Sequence, residues 1–248
     1  MLTAFSVEQI LWTVATLFFA FVCRGLSGFG AGLIATPLLA LMLPMQVIVP
    51  LNSLLVSVLF LFLAIRDRHE VVWPELRQLI PPTLTGVLLG LLLFKSLDNR
   101  MLLSLLGGFL IIYAVYTLAV YTFGLPRLQC SQRWAWPAAL SGAFVDTLFG
   151  GGGGALVVVY LHARGIARQA FRATVATLWL IEMGARLTGY TAAGFYGNEV
   201  LLLGLAMLPV IMAGTWLGEK LGNRIRQETF SRILALMLLL AGVKLLFS

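Results

Sequence analysis

Two stretches of this chain bring together residue types that could hold an anion. One is Arg24-Gly25-Leu26-Ser27-Gly28-Phe29-Gly30-Ala31-Gly32. The other is Asp146-Thr147-Leu148-Phe149 followed by consecutive glycines from 150 to 154. Glycine has no side chain, so a ligand can touch its backbone. Where such a stretch breaks a helix, the free N–H groups and positive dipole end of the next helix attract negative charge. Arg24 supplies a cation, and Ser27 and Thr147 supply hydroxyls. A run of glycines this long costs too much chain entropy to serve packing alone. The first stretch therefore contributes Arg24, Ser27, Gly28, Gly30 and Gly32 as substrate-binding candidates, and the second Asp146, Gly151, Gly152 and Gly153.

Other polar residues interrupt long apolar runs. Asn52 and Ser53 lie on one run and Thr174 and Thr177 on another, and all four join the candidate set. Residues of these types also bond from helix to helix without touching a ligand. Glu182 and Arg186, four apart, share one helical face. Either they satisfy each other, or Glu182 carries a proton while Arg186 lines an exit path. Asp146 is the second candidate proton carrier. Arg172 and His162 read as interfacial anchors or as an attracting vestibule. Arg24 is the only charge between Gln9 and Gln46. A charge at that depth costs at least about 2.5 kcal/mol and normally faces the protein interior.

The elements that must position these residues are membrane helices. The 248 residues are 60% hydrophobic and 11% charged, and mean hydropathy is +0.97. That is too little polar surface for a water-soluble domain. The net charge of +7 would hint at nucleic acid in a soluble protein, but here the basic residues lie in short loops, where they set topology. A spanning helix needs roughly 20 apolar residues, and runs of about 10–14 mark half-length or re-entrant pieces. On that rule 11–22 and 31–43 are two short pieces around the first glycine break, followed by full-length runs at 47–65, 76–94 and 101–121. After a polar linker, 134–149 and 155–161 flank the second break, and full-length runs follow at 170–190, 200–217 and 230–247.

The order repeats. Laying Gly32 on Gly154 puts Arg24 on Asp146 and Asn52 on Thr174, and Gly86-x-x-x-Gly90 has its counterpart in Gly214-x-x-x-Gly218. Small residues at that spacing let helix backbones approach closely. If each broken unit enters and returns, each half makes three net crossings and the halves are inverted. One side then carries twelve Lys and Arg and the other three, which with Arg24 and Arg186 account for all 17. If each broken unit crosses once, the split is nine against six. The positive-inside rule favours the inverted arrangement. It puts both termini in the periplasm and the linker in the cytoplasm. A pseudo-two-fold axis would bring Arg24 and Asp146 together, as a structural ion pair or as a pair that opens to admit an anion.

Rival chemistries fit less well. Gly25-x-Ser27-Gly28 resembles an intramembrane protease nucleophile, but His69 and His162 both fall in loops, so the serine has no base. The second glycine run lacks the Lys-Ser or Lys-Thr of a P-loop. Cys23 and Cys130 lack metal-ligand spacing and are expected to form no disulfide. No basic n-region precedes Arg24, which argues against a cleaved signal peptide.

The chain resembles the TauE/SafE sulfite exporter family, also called the toluene sulfonate uptake permease family. The resemblance rests on Ser27-Gly28-Phe29-Gly30-Ala31-Gly32 with Pro37 beyond it, on Asn52-Ser53, on the late GxxxG, and on glycines 150 to 154 with Arg172-Ala173-Thr174. Members typically carry a proline after each glycine stretch, and here Val159 stands at the second position. The resemblance implies transport of sulfur-containing anions such as sulfite, sulfoacetate or organosulfonates, and agrees with the anion site read from the residues.

The expectation is therefore an all-α polytopic membrane protein of the bacterial inner membrane, with two inverted repeats. Each repeat is a glycine-broken hairpin or helix pair plus three transmembrane helices. The first repeat covers 1–122, the cytoplasmic linker 123–133 and the second repeat 134–248. The function expected is a secondary transporter with alternating access around a midplane site between the breaks. It is not an enzyme, uses no cofactor or metal and binds no nucleic acid, and its partners are the anion and the bilayer, with homo-oligomerisation left open. Export of an anion can be driven by the membrane potential, at about 2.3 kcal/mol per charge per 100 mV. Uptake would need a coupled cation. The alternatives are a passive anion channel or a permease for a different small anion.

Overall fold

The computed structural model describes residues 5–27, 30–123, 131–221 and 227–247. Gly28, Cys130 and most of the linker lie outside the described residues. Among the described residues the chain is all-helical, with ten α-helices and no strand. These are α1 (Val7–Ser27), α2 (Ala31–Leu39), α3 (Met45–Arg66), α4 (Trp73–Ser96), α5 (Asn99–Phe123), α6 (Ala135–Phe149), α7 (Gly154–Ala163), α8 (Arg168–Ala192), α9 (Asn198–Leu221) and α10 (Gln227–Leu246). Five of them, α1, α3, α4, α5 and α9, are long and apolar enough to cross a bilayer. α8 matches them in length but carries Arg172, Glu182 and Arg186.

The apolar runs correspond to helices one for one, with one difference in kind. The short piece expected at 11–22 is instead part of a 21-residue helix. α1 continues through Arg24 and Gly25 because the glycine does not end a helix whose neighbour needs close approach there. The following piece is short as expected, at 9 residues.

The helices cluster in two compact units. The first holds Met1–Ile48, Leu97–Arg127 and Asn198–Ser248. Here α1 crosses α9 backbone to backbone. A Cβ on Gly218 would lie 2.2 Å from the Val22 carbonyl oxygen, and one on Gly25 would lie 2.5 Å from that of Thr215. α5 and α10 meet likewise at Gly107 and Gly242. α2 is tied to α1 by the Trp12 indole N–H, which donates to the Leu38 carbonyl at 2.9 Å.

The second unit holds Val49–Ser96 and Leu128–Gly197. In it α4 crosses α6, with Gly86 against Leu140 and Gly90 against Thr147. α7 folds back on α6, and α8 packs on α4. Leu76, Leu79, Ala139, Val157, Tyr160, Leu161 and Leu178 form its apolar core. In both units, large apolar side chains such as Leu88, Leu92, Leu205, Met212 and Leu240 are exposed. On a membrane helix those faces meet lipid.

Candidate anion site

The second glycine break is built from the end of α6, four linking residues and the start of α7. Gly150 closes α6, and its N–H donates to the Asp146 carbonyl at 2.8 Å. Gly152 has φ 107°, and Gly30, its counterpart before α2, has φ 89°. Side chains rarely adopt that backbone, so both positions favour glycine. Gly153 lies against Gly142 so closely that a Cβ would sit 2.0 Å from the Gly142 oxygen. α6 and α7 can form this tight hairpin only because both residues lack side chains.

Asp146 is buried, 6% exposed. Its Oδ1 accepts the Gly153 N–H at 2.8 Å. A carboxylate thus occupies the N-terminal amide end of α7, the position the sequence offered to a substrate anion. A negative charge is favoured there because the first amides of a helix have no intrahelical acceptor.

Next to this hairpin, in the same unit, lies a buried arginine. Arg186, on α8, is 0% exposed and Glu182, one turn earlier, 3%. Arg186 Nη1 is 3.6 Å from Glu182 Oε1. Nη2 donates to the Ser53 hydroxyl on α3 at 2.7 Å, and Ser53 donates onward to the Val49 carbonyl at 2.8 Å. The guanidinium carbon lies 5.9 Å from the centre of the Tyr190 ring, within cation–π range. The Tyr190 hydroxyl donates to the Thr147 carbonyl and so ties α8 to the end of α6. Two polar atoms in this pocket of charge, Arg186 Nε and Glu182 Oε1, are buried and have no hydrogen-bond partner among the described residues. At 3.6 Å the pair gains about 5 kcal/mol at an effective dielectric near 20. Removing two ions from water costs several kcal/mol each. The expected i,i+4 Glu182–Arg186 ion pair is present, and it leaves Arg186 Nε and Glu182 Oε1 without a hydrogen bond among the described residues.

The remaining candidates fall as follows. Thr174 is structural in its contacts. Its hydroxyl accepts the Val72 N–H at 2.9 Å and donates to the Ala170 carbonyl at 2.8 Å. Thr177 donates to the Ala173 carbonyl within its own helix. Asn52 is buried beside Ser53 on α3. Gly151 and Gly152 are partly buried in the break. Arg24 belongs to the first unit, where it is 8% exposed and has the Glu219 carboxylate as electrostatic neighbour. Ser27 ends α1, Gly30 precedes α2, and Gly32 is buried within α2.

A third cluster escaped the sequence reading. Glu75 on α4 is 8% exposed. Its Oε1 accepts from Arg164 Nε and Nη2, both at 2.8 Å, and its Oε2 accepts from the Tyr160 hydroxyl at 2.8 Å. These hydrogen bonds raise the Arg164 guanidinium above its ordinary pKa. They fasten the C-terminal end of α7 to the start of α4. Glu75 and Arg164 are 89 residues apart, and no sequence spacing could have paired them.

The sequence profile of the family described as Sulfite exporter TauE/SafE matches residues 13–245 of the chain. A relative from Comamonas testosteroni, described as probable inner membrane transporter protein TsaS, is 25% identical over 178 residues. The matched region covers 71% of this chain and 73% of that protein. No solved structure matches the chain.

Proposed function

We propose, from the premise that the chain belongs to the sulfite exporter TauE/SafE family, that it moves sulfur-containing anions such as sulfite, sulfoacetate or organosulfonates across the bacterial inner membrane. The family is one of membrane transporters, so the chain is a transporter and not an enzyme. Transport proceeds as secondary transport, by alternating access around a midplane site, with export as the direction of net movement. The inner-membrane assignment takes support from the TsaS relative, itself described as an inner membrane transporter.

The observation that carries the anion reading is Arg186. A fully buried guanidinium with its Nε–H unpartnered among the described residues keeps a donor for an oxygen of a sulfur oxyanion. Arginine offers such oxygens parallel N–H donors. Intramembrane charges mark ion and substrate paths. Ser53 joins Arg186 in this role, with Asn52 and the glycines Gly151 and Gly152 of the second break; the Gly153 amide is held by Asp146. Arg24, Ser27, Gly28, Gly30 and Gly32, at the first break, are proposed as anion contacts of their own unit.

The two halves, 1–122 and 134–248 around the cytoplasmic linker 123–133, are inverted repeats with periplasmic termini. Two recurrences support the duplication. The left-handed glycines Gly30 and Gly152 fall at equivalent positions. The GxxxG helix of each half crosses the glycine-broken helix of the other, α4 on α6 and α9 on α1.

Binding of sulfite and a panel of sulfonates to the detergent-purified protein tests the proposal. Saturable stabilisation by a sulfur anion is expected, and Arg186→Ala should abolish it. Arg186→Lys keeps the charge but loses the fork and should weaken it. Binding unchanged in Arg186→Ala would remove Arg186 from the site. Flux in proteoliposomes that never saturates would replace the transporter by a passive channel.

A further inference from the structure

Three charged side chains converge in the second unit: Asp146 from α6, and Glu182 and Arg186 from α8. All three are buried. With both carboxylates ionised the cluster carries a net negative charge inside apolar surroundings, a costly state that proteins relieve by taking up a proton. The two carboxylates differ in their partners. Asp146 accepts an amide N–H at the start of α7, a setting that favours its charged form. The Oε1 of Glu182 has no hydrogen-bond partner among the described residues, and Arg186 Nη1 stands 3.6 Å from it.

The titratable and charged groups around Glu182 fit this division. Asp146 repels its negative form and Arg186 attracts it. Ser53, from α3, has its hydrogen committed to the Val49 carbonyl. Tyr190 points its hydroxyl at the Thr147 carbonyl, and Tyr196, in the loop after α8, donates to the Pro50 carbonyl at 2.9 Å. α4 and α7 also pack on α8; of their polar groups, Glu75 and Tyr160 are engaged with each other and with Arg164, and the buried Thr83 hydroxyl on α4 has no hydrogen-bond partner among the described residues.

We infer that Glu182 is a proton-binding site linked to the anion at Arg186, and that the anion binds only while Glu182 carries a proton. The inference rests on the proposed anion site. An incoming anion beside an ionised Glu182 would face two carboxylates around one guanidinium. A proton on Glu182 removes that repulsion and frees Arg186 Nη1 and Nε for the anion. Asp146, whose carboxylate accepts the Gly153 N–H, is the weaker of the two proton sites. Linkage is reciprocal, so anion binding draws the proton as strongly as the proton draws the anion.

A sulfonate is the suitable probe, because its charge is constant across the pH range in which sulfite titrates. Calorimetry on the purified full-length protein should show wild-type affinity falling by about tenfold per pH unit above the Glu182 titration. Glu182→Gln, which mimics the protonated side chain, should bind tightly with no pH dependence. Asp146→Asn should keep the wild-type slope. In weakly buffered alkaline solution, adding sulfonate to wild type should take up about one proton per site, a readout independent of any variant's folding. A wild-type slope preserved in Glu182→Gln, or no proton uptake, would overturn the inference and leave the anion site standing. Absence of saturable sulfonate binding to wild type would instead overturn the anion site, and the linkage with it.

Discussion

Replacing Gly153 by alanine should pry open the α6–α7 hairpin. The added Cβ would sit 2.0 Å from the Gly142 carbonyl oxygen and 2.7 Å from its carbon. Ordinary van der Waals contact begins at 3.4 Å, and the atoms in the way are backbone, which cannot rotate aside. α6 and α7 must therefore separate by roughly an ångström, in the class of overpacking that costs about 1–3 kcal/mol. The same movement stretches the 2.8 Å bond from Gly153 N–H to Asp146, and a hydrogen bond to a charged group is worth about 1.5–3 kcal/mol. The combined loss is on the order of 3–5 kcal/mol. Reversible unfolding of the purified protein in mixed micelles measures it. Gly184→Ala is the control, because a Cβ there meets nothing within 4 Å. It should be neutral or slightly stabilising, as alanine is the better helix former. A Gly153→Ala protein as stable as Gly184→Ala would refute the hairpin geometry and with it the placement of Asp146.

Two further perturbations probe the scaffold. Gly218→Leu should disrupt the α1–α9 crossing, since the position lies against the Val22 oxygen and the Gly25 Cα; a destabilisation of at least about 1–3 kcal/mol is expected in the same unfolding assay, and none would mean that the helices cross elsewhere. Tyr196→Phe removes one buried-side hydrogen bond, to the Pro50 carbonyl, and should cost about 1 kcal/mol while leaving sulfonate affinity within twofold of wild type; an unchanged stability would show that the bond is not made.

Membrane class, helix number and the two breaks were legible because hydropathy and glycine content are local properties. Every full-length apolar run became a helix within a few residues. The extent of α1 was not legible. Arg24 and Gly25 look like a break, and only the backbone of α9 at Gly218 shows why a glycine is needed inside a continuing helix. The polar residues divide the same way. Thr174 reads as a site residue by alignment with Asn52, but its hydroxyl is spent on Val72 and Ala170.

By itself the sequence determined that the chain lives in a membrane, that it is helical, and that two glycine breaks with lone charges interrupt it. Those features follow from composition and from spacing along a single helix. Only the tertiary structure decided what each charge meets. Asp146 caps α7 across seven residues, Arg186 reaches Ser53 across 133, and Glu75 holds Arg164 across 89. A helix fixes the spacing of its own side chains, but the partners across an interface depend on how helices cross. Here that is set by glycine contacts whose depth no one-dimensional pattern records.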